Sequence, residues 1–239
     1  MKIFAKVSLT SIIITSSLIP SHAVLAATSN KSCYISVSHK SLSKINGVPI
    51  ANKRYSMSRN YNPGANKYMI KTFKKMKDDA KRKGIVLNIV GQPGAYGFRS
   101  YATQNALYNS YVYSYGQNYA NRISARPRTS EHQLGLAMDI QDGTNYGTLN
   151  TAFEYTKASK YLQKNAHKYG FIIRYLKGKE HITGFMYEPW HIRYVGTTHA
   201  KRIKYNNVTL EEYFGIQGKK KLPSGKHKVR GVICKYNKK

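Results

Sequence analysis

Between residues 66 and 84, apolar side chains recur at Met69, Phe73, Met76 and Ala80 among lysines, which is the spacing of one helix face. It predicts an amphipathic helix that stops at Gly84. Residues 85–90 are a short, apolar, β-branched run with the pattern of a buried strand. A Gly/Pro-rich loop over 91–97 then leads into a second expected helix, about 102–115, whose tyrosines suit helix packing more than stacking on sugars. A polar link over 124–130 precedes the apolar residues 134–140. A third helix is expected over about 151–168, carrying Phe153, Leu162 and Ala166 and closing at Gly170 before a strand over 171–173. Residues 184–195 read as a hairpin-like pair around Glu188-Pro189, and 209–214 as a short closing helix. Two further short strands are expected near the ends, over 33–37 and 229–234. Such irregular alternation with short loops predicts an α+β domain, a mainly antiparallel sheet packed with helices.

Composition narrows this picture. With 239 residues, 41% of them hydrophobic, and two cysteines, the chain can bury a sizeable core and is no disulfide-framework miniprotein. Residues 1–26 have the pattern of an export signal: Lys2 and Lys6, an apolar stretch over 7–19, then Val24-Leu25-Ala26. The stretch is shorter than the roughly 18 residues that span a bilayer, so a secreted protein without a transmembrane anchor is expected. The domain plan that follows is a signal over 1–26, an extension over 27–51, a main folded domain over 52–217 and a basic tail over 218–239. Lysine and arginine number 40 against 10 acids, a formal charge of +30, which predicts an anionic partner. Export favours anionic wall polymers over nucleic acid. Cys33 and Cys234, each on a short strand at opposite ends, suit a disulfide tying the termini together, with free or intermolecular thiols as the alternative.

Because acids are scarce, their positions are informative: Glu131, Asp139, Asp142 and Glu188 flank the His-rich stretches. His132, Asp139 and His191 are the candidate ligands of a catalytic zinc, which takes three protein ligands and leaves the fourth position to water. Glu188, three residues before His191, is the candidate base for that water's proton. In an ideal strand these two side chains would face opposite ways, so Pro189 must introduce a turn or bulge. His132 and Asp139 likewise need the bend that Gly135 permits.

The run from Ser130 to Asp139, Ser-Glu-His-Gln-Leu-Gly-Leu-Ala-Met-Asp, resembles the Ser-x-His-x-x-Gly-x-Ala-x-Asp motif of VanY-type D-alanyl-D-alanine carboxypeptidases. Glu188-Pro189-Trp190-His191 resembles their Glu-x-x-His motif, and the likeness runs from about Asn52 to Gly215. It implies a zinc fold similar to the lysostaphin and hedgehog group, one zinc on His132, Asp139 and His191, and Glu188 as general base. It further implies that Arg99, Gln104 and Ser130 hold substrate, with Arg99 also stabilising the reacting oxyanion. The chain departs from the family in the longer Pro/Gly-rich loop before Arg99-Ser100. The implied activity is D,D-carboxypeptidase action on peptidoglycan stem peptides by Glu-assisted attack of zinc-bound water. Two other wall activities share the chemistry: an L,D-carboxypeptidase and a cross-bridge endopeptidase. A zinc-stabilised wall-binding protein is the non-enzymatic alternative.

Overall fold

The protein is described by a computed structural model over residues 31–39, 42–144, 146 and 148–237, so the signal expected over 1–26 lies outside the described residues. Three short strands come first: β1 (Cys33–Ser38), β2 (Lys44–Ile45) and β3 (Val48–Pro49). Helix α1 (Lys67–Lys81) buries Met69, Phe73, Met76 and Ala80, the face that the spacing predicts. Asn66 caps it by accepting from the amides of Tyr68 and Met69, two donors that the first turn leaves open. The apolar run after α1 forms only β4 (Asn88–Ile89), because this strand lies at a sheet edge; Val86 is exposed. Helices α2 (Tyr101–Tyr115) and α3 (Gln117–Ile123) meet at Gly116, and β5 (Ala137–Gln141) follows.

The helix expected over 151–168 is three pieces: a 3-10 turn (Thr151–Tyr155), α4 (Lys157–Asn165) and a second 3-10 turn (Ala166–Tyr169). Thr156 is extended and its hydroxyl accepts from Ser159 N, so the chain is capped and restarted there. Next come β6 (Phe171–Tyr175), α5 (Glu180–Thr183), β7 (Glu188–Tyr194), α6 (Thr197–Asn206), α7 (Leu210–Phe214) and β8 (Gly225–Val229). The pair expected over 184–195 is instead the single strand β7, inserted between β5 and β6. The strand expected over 229–234 also shifts: β8 ends at Val229, and Val232–Lys235 is a 3-10 turn.

Among the described residues two four-stranded sheets result, ordered β4-β5-β7-β6 and β3-β2-β1-β8, with every pairing there antiparallel. The first packs on α1 and α4 through Met69, Phe73, Leu162, Phe171 and Ile192. The second packs on α6 and α7 through Ile35, Ile45, Ile203, Phe214 and Val229. Thus the stretches read as an extension and a basic tail meet, because β8 pairs with β1 along its whole length. Val229, Ile233 and Cys234 sit in the same core as Tyr213 and Phe214, so this part of the chain packs rather than trails. The Cys33–Cys234 disulfide closes the sheet, with Cα atoms 5.3 Å apart.

Candidate active site

Strands β5 and β7 are neighbours, and their register sets Asp139 directly opposite His191. His132 arrives from the turn before β5. That turn depends on Gly135, whose φ is +69°; a Cβ there would lie 2.0 Å from the carbonyl oxygen of Gly64. Glu188 reaches the same place through an irregularity in β7. On β6 the partners step from Ile173 to Tyr175, while on β7 they step from Ile192 to Glu188. The additional residues around Pro189 form a bulge that overrides simple alternation. His191 Nδ1 consequently lies 3.4 Å from Glu188 Oε2.

His132 Nε2 is 3.2 Å from Asp139 Oδ2, and His191 Nδ1 is 3.2 Å from Asp139 Oδ1. One ligand atom from each of these three buried residues lies within 4.8 Å of the others. His132 Nδ1 faces the Gly97 carbonyl at 2.7 Å and must donate to it, which leaves Nε2 as a bare acceptor pointing at a carboxylate. Both His132 Nε2 and Asp139 Oδ1 are buried without a hydrogen-bond partner. Two converging acceptors with nothing between them fit a cation, and two imidazoles with one carboxylate fit zinc in particular. Gly97 is itself pinned against β5, since a Cβ on it would come within 2.5 Å of Ala137 O.

The electrostatics set the two histidines apart. Burial favours a neutral Asp139, but His132 and His191 outweigh it and hold the carboxyl well below the usual range. Burial and the Arg99 charge push His132 down, toward the neutral form that a metal takes, whereas Asp139, Glu131 and Glu188 outweigh burial at His191 and hold it well above the usual imidazole range, so a metal there would displace a proton. Burial pushes Glu188 up, which makes it a better proton acceptor than a surface glutamate.

A cavity of about 950 Å³ opens over these groups, and Arg99, Gln104, Ser130 and Glu188 all line it. Arg99 Nη2 lies 3.2 Å from Asp139 Oδ2. Gln104 donates to Ala125 O at 2.8 Å, and its own Oε1 is buried without a partner. Ser130 Oγ accepts from His132 N, which leaves its proton free to donate. All seven residues singled out from the sequence therefore meet at one cavity.

Residues 63–197 match the VanY family, D-alanyl-D-alanine carboxypeptidase. The chain belongs to the VanY family. A relative, the putative carboxypeptidase YodJ of Bacillus subtilis (strain 168), is 42% identical over 188 residues, covering 71% of this chain and 67% of that one. The structure of the LdcB LD-carboxypeptidase aligns with a TM-score of 0.67 and 40% identity, over 78% of this chain and 98% of that one. A mutant of the vancomycin-resistance D,D-pentapeptidase VanY from a VanB-type cassette, in complex with Zn(II), aligns at 0.59 and 28%, over 69% and 96%. The α+β fold of antiparallel sheets packed with helices is thus that of VanY-type carboxypeptidases.

This VanY-family chain also holds a support that the motifs alone do not assign. Glu131 is fully buried; its Oε1 accepts from Arg174 Nε at 2.8 Å and Arg193 Nη1 at 2.7 Å. Its Oε2 has no hydrogen-bond partner and lies 3.7 Å from His191 Nε2. Burial would protonate Glu131, but the two guanidiniums hold its carboxyl far below the usual range. The signal for it was present in the sequence: an acid adjoining a candidate ligand, and arginines inside the apolar strands β6 and β7.

Proposed function

We propose that this chain is an exported zinc carboxypeptidase that removes terminal D-alanine from peptidoglycan stem peptides. The observation that carries this reading is the convergence of three buried candidate ligands, His132, Asp139 and His191, beside the buried Glu188 on the wall of one cavity. His132 Nε2, the Asp139 carboxylate and His191 Nδ1 would hold the ion. Zinc in such a place supplies Lewis acidity that lowers the pKa of a water toward ~7.

The residues of the chain supply the rest. Glu188 accepts the proton of the attacking water and returns it to the leaving amine. Arg99, on the cavity wall, pairs with the free carboxylate of the last stem residue and offsets negative charge as the carbonyl is attacked. Gln104, whose Oε1 has no partner, accepts a substrate N–H, and the Ser130 hydroxyl donates to a substrate oxygen.

The motifs suggest a D,D bond, the last one of a pentapeptide stem. The stronger likeness to an LD-carboxypeptidase favours the L,D bond of a tetrapeptide. Digestion of defined penta-, tetra- and cross-linked muropeptides separates these by product mass. Release of one D-alanine from the tetrapeptide is expected; opening of cross-links without free D-alanine would point to an endopeptidase instead. The excess of 40 basic over 10 acidic residues supports retention on anionic wall polymers.

A further inference from the structure

The tyrosines of α2 are not spent on helix packing. Tyr108 is buried, but Tyr113 is 94% exposed, Tyr115 58%, and Tyr119 on α3 42%. Along these two helices, Gln104, Leu107, Tyr111, Tyr115, Tyr119 and Ile123 turn one face to the cavity. The Tyr111 and Tyr115 rings stack at 6.2 Å with 28° between planes, and Tyr115 meets Tyr119 at 5.6 Å and 56°. Tyr111 is the inner end of this ladder: besides burial, its phenol senses the charges of Arg99, Asp139 and Glu188. Tyr115 and Tyr119 form the outer end, with ring area open to a ligand.

We infer that Tyr115 and Tyr119 form a saccharide-binding ledge that stacks on the disaccharide carrying the stem peptide. Charge argues for a neutral ligand: in a chain with 40 basic and 10 acidic residues, no charged side chain occurs between Arg99 and Arg122. A pyranose offers what such a ledge takes, an apolar C–H face for the rings and hydroxyls for the phenols. Length argues for its position. Three residues lie between the scissile L,D bond of a tetrapeptide stem and its sugar, a reach of at most about 11 Å, so the sugar falls beyond the middle of the α2 cavity face, which rises about 16 Å from Gln104 to Tyr115. A stem laid along this wall brings its sugar level with Tyr111, from where the disaccharide continues outward over Tyr115 and Tyr119. The inference rests on the proposed peptidoglycan substrate, but its test is separable from that reading.

The test is calorimetric titration of the zinc-loaded Glu188→Ala protein, with and without the pair Tyr115→Ala and Tyr119→Ala. The ligands are a tetrapeptide stem joined to its N-acetylglucosaminyl-N-acetylmuramyl disaccharide and the same stem without sugar. The disaccharide form should bind more tightly, and the double substitution should weaken it roughly tenfold while leaving the sugar-free stem unchanged. The corresponding Phe pair should keep most of the affinity, because the ring faces remain. Equal weakening of both ligands would make the ladder a peptide wall, and no weakening of either would remove it from binding; both outcomes overturn the ledge. Hydrolysis of the sugar-free stem by the unsubstituted protein reports on the carboxypeptidase reading separately.

Discussion

Glu188 and His132 stand in one site with separable duties. Replacing Glu188 by Ala removes the proposed proton acceptor but none of the three candidate ligands. Metal analysis of that variant should still find about one zinc per chain, while muropeptide hydrolysis falls by roughly 10²-fold or more. Unchanged turnover would take Glu188 out of the mechanism, and a zinc-stabilised wall-binding protein would then fit better. His132→Ala should lose metal and activity together. Glu131 acts one step further out. A carboxylate held ionised by Arg174 and Arg193 and facing the far nitrogen of His191 orients that ring and raises its basicity. Glu131→Gln should therefore lower zinc affinity about 10- to 100-fold, read by chelator competition on the metal-free protein. An affinity equal to that of the native chain would reduce Glu131 to a partner of the buried arginines.

At the scale of elements, the site depends on where chain regularity fails. A regular β7 would turn Glu188 away from His191, and a non-glycine residue at 135 would be both strained and in collision with Gly64. Helix α7 shows a local device that the sequence announces openly. Thr209 and Glu212 form a reciprocal capping box, and Lys179 Nζ adds an ion pair to Glu212 at 2.9 Å. Loss of the cap in Thr209→Ala should cost about 1 kcal/mol in denaturant unfolding. Burial would raise the pKa of Glu212, but Lys179 and the Thr209 amide hold it below the usual value. A depressed folded pKa stabilises above the unfolded pKa and is lost as pH falls through the folded one. Glu212→Gln should thus flatten the acid limb of stability against pH, and an unaltered limb would count against this linkage.

Across the whole molecule, a network of buried charges joins the two sheets beneath the site. Arg174 bridges Glu131 and Glu211, Arg193 donates to Pro49 O, and Asn52 donates to Glu211. The disulfide-closed sheet is in this way connected to the strands that carry Asp139 and His191. The charge excess, proposed to hold the protein on anionic wall polymers, belongs to the same scale. Raised salt should release the protein from cell walls far more than it slows hydrolysis of a small soluble stem, measured by wall sedimentation and product release. If both fall together, the basic charge belongs to substrate binding.

The sequence by itself determined the chemistry: two short motifs name His132, Asp139, Glu188 and His191, and helix periodicity names the buried face of α1. Those signals are local, written in residue type and spacing. Only the tertiary structure decided what depends on partners distant along the chain. It made one strand where a hairpin-like pair was expected, because β7 finds β5 and β6 on either side. It broke a continuous helical pattern at Thr156, where a side-chain cap outcompetes helix propagation. It drew the two ends into one sheet, because β1 and β8 complete each other's hydrogen bonds. Most of all, it set Tyr111 and Tyr115 of α2 along a cavity wall rather than in a core, since the direction a helix face points depends on what packs behind it.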